Sequence, residues 1–268
     1  MRDLNEDKHL EWFLTNPLDW SQHNGVFNWH SSDTEEWFEI NYKKYPKRFE
    51  FYKKYPITYH CNSGGFRSKE DYYPQQDREV DIVLGCSHTF GVGHHVKNTW
   101  VHMLSQKTGR EYINLGVPGH GTETSYIVLN KYMPWYKVRN VFHFQPIYPR
   151  FHVLMNKYID GKESYQHCST NINVENDPTL KYKYSDDYKS TMFEGSMIKY
   201  EHYKMVDAIR STCQRFGATY HGIYDDLYTP VDRLEDQDIP ARDLYHFPLL
   251  SQKRIASTFY KLYKESIN

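Results

Sequence analysis

The sequence contains no long hydrophobic run. Nowhere do the roughly 18 consecutive apolar residues of a membrane helix occur, and the segment 1–17 lacks the apolar stretch of a secretory signal. We therefore expect a soluble chain without a membrane span and without an export signal of its own. Such a protein resides in the cytoplasm, or it is carried on a virus particle or released by lysis.

Cysteine is scarce, and its four copies form no recognisable pattern. No two of them stand in a Cys-x-x-Cys pair, and their spacing matches no zinc site. A chain of 268 residues is also large enough to fold around a core without a disulfide framework. We expect free thiols at Cys61, Cys86, Cys168 and Cys213.

An excess of either charge is also missing. Lysine and arginine number 33 and aspartate and glutamate 34, so no global field attracts nucleic acid or an anionic membrane. Tyrosine is abundant, with 25 copies in a chain whose mean hydropathy is -0.83. Many of these rings must be partly exposed, which suits a sugar or protein surface. An ordinary preference for half-buried tyrosine explains the composition equally well.

The N-terminal part, residues 1–78, is dense in tryptophan and tyrosine and is predicted to be an extension packed on the core. A helix is expected at 34–45. The string Tyr-Lys-Lys-Tyr-Pro occurs twice, at 42–46 and at 52–56. Two copies are too few for a solenoid, so we interpret them as a local duplication with a solvated basic face.

Residues 79–268 are predicted to form the main domain, in which strands and helices alternate. This alternation is typical of an α/β fold with a parallel sheet, helices on both faces, and a site at the carboxyl ends of the strands. The polar segment 151–195 has no clear period and is predicted to be rich in loops. It is either a mobile segment or, as we favour, an insertion that forms part of a pocket wall. The expected strands are 80–84, 112–115, 138–144 and 219–224, and the expected helices are 99–108, 122–133, 196–216 and 249–263.

The first of three motifs, Gly85-Cys-Ser87-His-Thr-Phe-Gly91, comes directly after the strand 80–84. Small residues allow a sharp turn there. Backbone N–H groups at the start of a following helix would then stabilise an oxyanion beside the Ser87 hydroxyl. Taken alone, this pattern is more often a tight turn with a capping serine.

The second motif is Asp243-Leu-Tyr-His246, shortly before the last predicted helix. An aspartate three residues before a histidine can place its carboxylate on one imidazole nitrogen and leave the other nitrogen for a hydroxyl. In isolation the same residues describe a surface loop with an ordinary ion pair.

The third motif, Asn114-Leu-Gly-Val-Pro-Gly-His-Gly121, is rich in glycine. The Gly119 N–H is a candidate oxyanion donor, although a helix-entry loop is equally compatible.

Together, in this order, the three motifs resemble those of the SGNH/GDSL family of serine esterases. Gly85-Cys-Ser87 stands where that family has Gly-Asp-Ser, with cysteine in place of the usual aspartate. The segment 114–119 is similar to its second block and the segment 243–246 to its last. The resemblance covers about 79–265, and Asn62-Ser-Gly-Gly-Phe-Arg67 is similar to a string that often precedes the catalytic domain in a subset of the family.

The resemblance implies a three-layer αβα sandwich with a parallel sheet in flavodoxin-like order, and ester hydrolysis through an acyl-serine. Ser87 would attack the ester, His246 would take and return its proton, and Asp243 would orient His246. Backbone N–H groups of Ser87 and Gly119 would bind the oxyanion. This chemistry needs no cofactor and no metal, although His88, His94, His95 and His120 share these loops.

The chain departs from the family after the strand 138–144, where the usual Gly-x-Asn-Asp block is missing. The sequence there is Gln145-Pro-Ile-Tyr-Pro-Arg150. Gln145, Tyr148 and Arg150 each carry a hydrogen-bond donor and are the candidates to replace the missing asparagine. Losing one oxyanion donor costs about 10²–10³ in kcat, which weakens an enzyme without forbidding it.

Two functions of different classes remain open. The first is a serine esterase that removes a small O-acyl group, with acetyl on a carbohydrate as the expected substrate. Lipid, thioester and aryl-ester substrates fit the same residues, as does acyl transfer to another acceptor. The second is a carbohydrate-binding or virion-associated protein that keeps this scaffold with little or no turnover.

Overall fold

The computed structural model describes residues 23–146, 151–159, 162–170, 195–224 and 239–267, with only the backbone for the strands within 151–170 and for 195, 196 and 198. The strands are β1 (Gly25–Phe27), β2 (Tyr59–Cys61), β3 (Gln75–Leu84), β4 (Tyr112–Asn114), β5 (Tyr136–Gln145), β6 (Phe151–Ile159), β7 (Lys162–Thr170) and β8 (Thr219–Tyr224). The α-helices are α1 (Glu35–Lys44), α2 (Pro46–Lys54), α3 (Ser87–Phe90), α4 (Trp100–Thr108), α5 (Thr122–Tyr132), α6 (Gly195–Arg215) and α7 (Leu249–Ile267).

The main sheet has four parallel strands in the order β4-β3-β5-β8. If these four strands are counted by their order along the chain, their arrangement across the sheet is second, first, third, fourth. The run from Val80 to Leu84 is buried, as expected for the central strand of a parallel sheet that is covered on both faces. The predicted α/β class with a parallel sheet is therefore confirmed. β3 begins at Gln75, four residues before the expected domain boundary at residue 79.

Helices cover both faces of this sheet. Alternate residues of a strand point to opposite faces, so β3 and β5 contribute to two separate cores. On one face, Val83, Phe142 and Phe144 pack with residues of α4 and α7. On the other, Ile82 and Val141 pack with residues of α5 and α6. The predicted helices are confirmed, with ends that differ by at most four residues because α7 continues to Ile267.

Between β5 and α6, the structure differs from the expectation of an insertion without regular structure. β6 and β7 pair antiparallel along their whole length, from Phe151↔Thr170 to Ile159↔Lys162. The residues 171–194 lie outside the described part of the chain. The predicted contribution of this segment to a pocket wall therefore stays a prediction.

The described N-terminal residues pack on the loop that follows β3. β1 and β2 form a small antiparallel sheet, and α1 confirms the helix expected at 34–45. Aromatic residues of these elements share one core with Phe90, in the first motif, and with Val92, just beyond it. Tyr52 Oη also donates to the carbonyl of Pro240 at 2.6 Å, so this region is tied to the C-terminal loop as well. Phe38, Phe49, Tyr52, Ile57, Tyr59 and Cys61 are its contributions to the shared core.

The cysteine prediction is confirmed where side chains are described. Cys61, Cys86 and Cys213 are buried free thiols. Cys168 lies in β7, for which only the backbone is described. In the described part of the chain, no helix is both long enough and apolar enough to cross a membrane.

The shared aromatic core makes a prediction about stability. Phe49 is fully buried, so Phe49→Ala should lower the free energy of unfolding by about 3–5 kcal/mol. Because its cluster includes Phe90 and Val92, urea unfolding should remain a single transition at a lower midpoint. Val26→Ala, at a position 64% exposed, is the control and should change little. A separate early transition in Phe49→Ala would show that the N-terminal region folds on its own.

Candidate functional site

The turn after β3 holds Ser87 at the start of α3. Gly85 has φ 147°, and a Cβ there would lie 2.6 Å from the carbonyl oxygen of Phe144, so only glycine fits. Ser87 is buried, and as the first residue of α3 its backbone N–H has no acceptor within the helix. The helix ends after one turn at Gly91, in the left-handed conformation. This is the predicted strand–turn–helix geometry.

The Ser87 hydroxyl lies beside the thiol of Cys86, with 3.9 Å between Oγ and Sγ. Among the described residues it makes no hydrogen bond to His246. The structure thus brings the serine to the correct end of the sheet without completing the chain from hydroxyl to imidazole.

Asp243 and His246 form the predicted pair. His246 Nδ1 lies 2.6 Å from Asp243 Oδ2, and the backbone N–H groups of Tyr245 and His246 donate to Oδ1 at 3.2 and 3.3 Å. Ser32 Oγ donates to Oδ2 at 2.7 Å. The carboxylate is therefore fully bonded, and its bond to Nδ1 leaves Nε2 of His246 as the nitrogen for a substrate or nucleophile proton.

The electrostatics of this pair favour an ionised carboxylate. Burial acts to raise the pKa of Asp243, but the neighbouring His246 and the hydrogen bonds from His246 and Ser32 outweigh burial and lower it to about 2. Asp243 is consequently negative at neutral pH, which is the state that orients an imidazole and stabilises an imidazolium.

The residues 239–248, which carry His246 and are called the base loop, pack directly on the residues 85–95, which contain Ser87 and are called the nucleophile loop. The His88 ring stacks on Phe247 with 3.9 Å between centroids, and it meets the His246 ring edge-on at 4.9 Å. His94 Nε2 donates to the carbonyl of Phe247 at 2.6 Å. His246 thus lies against the residue that follows Ser87, and two histidines of the nucleophile loop fix the segment that carries it.

Arg67 stabilises the nucleophile loop through hydrogen bonds to its carbonyl groups. Its guanidinium is buried and donates to the carbonyls of Phe90, Gly91 and His94, at 3.2 Å for Phe90 and 2.6 Å for His94. These carbonyls lie at the end of α3 and just beyond it, where helical partners are missing. The guanidinium also packs on the Tyr59 ring at 4.6 Å. This contact gives the string 62–67 a structural role in the candidate site.

A second buried guanidinium, that of Arg242, supports the base loop. Arg242 Nε and Nη2 donate to the two oxygens of Asp33 at 2.8 and 2.6 Å, and the guanidinium lies 3.8 Å from the centre of the Trp29 ring. Tyr59 Oη also donates to Asp33, and it accepts from Gly93 N at 2.8 Å. This network links the N-terminal region, the nucleophile loop and the base loop.

Sequence reasoning missed Asp33, Arg242, Tyr59 and Ser32, all of which hold the site. The Arg242-Asp243 dipeptide was the available signal, because a cation beside a catalytic-type aspartate needs a partner of its own. Nothing in the sequence pattern identified Asp33, 209 residues away, as that partner.

The third motif lies against α3. A Cβ on Gly116 would come within 2.6 Å of Phe90 N and 2.9 Å of the Thr89 carbonyl carbon. Asn114 Nδ2 donates to Thr89 O at 3.1 Å, and Asn114 Oδ1 accepts from Gly116 N at 3.0 Å. Gly119, the predicted oxyanion donor, is exposed with φ 80° in the turn that precedes α5.

Among the three donors proposed to replace the missing asparagine, only Gln145 lies within the described residues. Its Nε2 donates to Tyr220 Oη at 3.4 Å, and its Oε1 accepts from His202 Nε2 at 3.2 Å. His202 Nδ1 accepts in turn from Thr122 Oγ1 at 3.0 Å. The amide is therefore fixed by α5, α6 and β8. Tyr148 and Arg150 lie outside the described part of the chain.

Three of the four histidines that share these loops bond to backbone carbonyls. His94 Nε2 pairs with Phe247 O, His95 Nε2 with Tyr55 O at 3.0 Å, and His120 Nδ1 with Pro118 O at 2.8 Å. The nitrogen that donates to a carbonyl has no lone pair for a metal, whereas the other nitrogen of a neutral ring keeps one. Within the described ranges, no three His, Cys, Asp or Glu side chains converge on one point.

Comparison with known proteins adds no further constraint. No family model matches the sequence, and no curated protein matches it. What the chain does must therefore be argued from the geometry of the site.

The ionised state of Asp243 makes a prediction about pH. Since the folded pKa is about 2 and lies below the ordinary 3.8, the carboxylate stabilises the fold above about pH 4. This contribution, about 2 kcal/mol, is lost as the pH falls toward 2. Asp243→Asn should therefore lose less stability than the wild type between pH 5 and pH 2.5 in urea titrations. Parallel losses in both proteins would contradict the assigned pKa.

The contact of the third motif with α3 gives another prediction. Gly116→Ala should destabilise the protein by about 1–3 kcal/mol, because the new methyl group meets backbone atoms that cannot move aside. Gly119→Ala is the matched control, since nothing lies within 4 Å of a Cβ there and only its positive φ disfavours alanine. Thermal unfolding should rank Gly116→Ala well below Gly119→Ala. The reverse order would contradict the observed packing.

Proposed function

We propose that this protein is a serine esterase with Ser87 as nucleophile, His246 as general base and Asp243 as the residue that orients the base. The observation that carries the proposal is the buried Asp243–His246 pair, whose imidazole lies against the residue that follows Ser87. The three motifs also follow the order of the SGNH/GDSL family, and the proposal includes membership of that family.

The chemistry begins with transfer of the Ser87 proton to Nε2 of His246 as Oγ attacks the ester carbonyl carbon. The tetrahedral intermediate collapses, and the leaving alkoxide takes the proton back from His246. Water then attacks the acyl-serine with the same base, releasing the acid and restoring Ser87. Asp243 stays ionised throughout and stabilises the imidazolium at each step.

Completion of the triad would require the Ser87 side chain to rotate toward His246. Ser87 Oγ now lies beside Cys86 Sγ, and rotation about the Cα–Cβ bond swings the hydroxyl away from the thiol. Hydroxyl rotations are fast and cost little, and catalytic hydrogen bonds in ligand-free enzymes commonly tighten only when substrate binds. The rigid backbone around Gly85 keeps the Cα of Ser87 in place while this happens.

The oxyanion would be stabilised by the backbone N–H of Ser87, at the start of α3, together with that of Gly119. Gln145 is the third donor among the described residues. One hydrogen of its amide is engaged by Tyr220, and the second remains for an oxyanion at the end of β5. Tyr148 and Arg150 follow on the same loop and remain candidates for the same role.

We propose a small acyl group, acetyl, carried on a carbohydrate. The confinement of Ser87 supports a small acyl group, because its side chain is buried and its neighbour His88 is sealed against Phe247. Exposed tyrosines on this chain suit the sugar part of such a substrate.

Hydrolysis of p-nitrophenyl acetate tests the proposal. Ser87→Ala should reduce the rate to background. Asp243→Asn should lower kcat by about 10⁴, because the imidazole loses the partner that sets its tautomer. Ser68→Ala, at a serine outside the triad, is the control and should retain activity. Gln145→Ala should cost about 10²-fold if the amide donates to the oxyanion.

Equal rates for the wild type and Ser87→Ala, with this ester and with acetylated xylan, would contradict the esterase. That outcome would favour the other reading of the sequence, a binding protein on the same scaffold. The position of the Ser87 hydroxyl, which lies beside Cys86 and makes no hydrogen bond to His246, would explain such a result.

A further inference from the structure

A cleft of about 550 Å³ opens between the end of α2 and the loop that follows α3. Its volume falls within the range of ligand pockets, about 300–1,000 Å³. Its lining consists of aromatic and basic side chains together with one proline: Phe51, Lys54, Tyr55, Pro56, His95 and Lys97.

The aromatic wall of this cleft is preformed. Phe51 lies 5.4 Å from Tyr55 and 5.7 Å from His95, measured between ring centroids. His95 Nε2 donates to the carbonyl of Tyr55 at 3.0 Å, which joins the two sides of the cleft. Tyr55 remains 51% exposed, so part of a large amphipathic ring is available to a ligand. Such exposed rings stack on the apolar faces of sugars.

The charge of the cleft is positive and is not neutralised nearby. Lys54 and Lys97 are exposed, and among the described residues neither ammonium group has a carboxylate partner. Of the residues that the structure describes, no acidic side chain contributes to the lining. Burial lowers the pKa of His95, so this ring is neutral at pH 7 and the charge comes from the two lysines. A ligand that fits must therefore offer both a ring face and negative charge.

We propose that this cleft binds a carboxylate-bearing sugar, such as a uronic acid unit of an acidic polysaccharide. The sugar ring stacks on Tyr55 and its carboxylate lies between Lys54 and Lys97. This site goes beyond the proposed esterase, since binding there needs neither Ser87 nor an ester. Nucleic acid is disfavoured as the ligand because the rest of the chain offers no excess of positive charge along which a phosphate backbone could run.

Of the two copies of the string Tyr-Lys-Lys-Tyr-Pro, only the second lines this cleft. In both copies a lysine ammonium lies over the following tyrosine ring, at 5.1 Å for Lys44 and Tyr45 and at 5.3 Å for Lys54 and Tyr55. The first copy ends in Pro46, which begins α2, whereas the second ends beyond α2 opposite His95. The two copies thus share local geometry and differ in what faces them.

The duplication supplies a matched control for the experiment. Binding of trigalacturonate to the full chain is measured by titration calorimetry and compared with xylotriose, a neutral trisaccharide. Lys54→Ala combined with Lys97→Ala should weaken trigalacturonate binding about tenfold, and added salt should weaken it further in the wild type. Lys44→Ala, in the first copy, should leave the affinity unchanged. Tyr55→Ala should weaken binding, and Tyr45→Ala should not.

Several outcomes would overturn the proposal. They are no detectable binding of trigalacturonate, equal binding of xylotriose, or an equal loss in the Lys44→Ala and Lys54→Ala/Lys97→Ala proteins, which would indicate diffuse attraction to any lysine. Because trigalacturonate carries no ester, these results are independent of the esterase. A protein that binds it without hydrolysing p-nitrophenyl acetate would retain this inference and lose the proposed function.

Discussion

The geometry of the candidate site depends on two guanidinium groups held away from water, those of Arg67 and Arg242. Arg67 gathers three carbonyls at the end of the nucleophile helix, and Arg242 forms a two-point ion pair with Asp33 below the base loop. Removing such charges from water is costly unless nearly every donor finds an acceptor. Arg67 itself belongs to the N-terminal region, and Arg242 finds its acceptors there, at Asp33 and at the carbonyl of Asn28. The N-terminal region therefore contributes to the geometry of the candidate site.

The two networks meet at Tyr59. Its hydroxyl donates to Asp33, which Arg242 holds, and accepts from Gly93 in the loop that Arg67 shapes. The Arg67 guanidinium also packs on the ring of Tyr59. The nucleophile and base loops are thus held relative to each other through a third segment. In the proposed enzyme, the Ser87 hydroxyl would still have to rotate to reach His246.

The sequence predicted the parts of the structure that local patterns control. The buried β-branched run Val80–Leu84 identified the central strand, and the three-residue spacing from Asp243 to His246 identified their pairing. Contacts between distant segments were not predictable, since nothing local links Asp33 to Arg242. The β6–β7 hairpin was missed because its second strand, Lys162–Thr170, is almost entirely polar and shows no apolar alternation. The engagement of Gln145 by His202 likewise depends on how α6 packs.

Covalent labelling with a fluorophosphonate ester followed by intact and peptide mass spectrometry tests the central claim most directly. The reagent reacts with a serine only when a neighbouring base activates it, so the wild type should gain one adduct, located on Ser87. His246→Ala should gain none at the same reagent concentration and time, while Ser68→Ala should label like the wild type. Absence of an adduct on Ser87 in the wild type, or equal labelling after His246→Ala, would contradict the assignment of Ser87 and His246 as nucleophile and base.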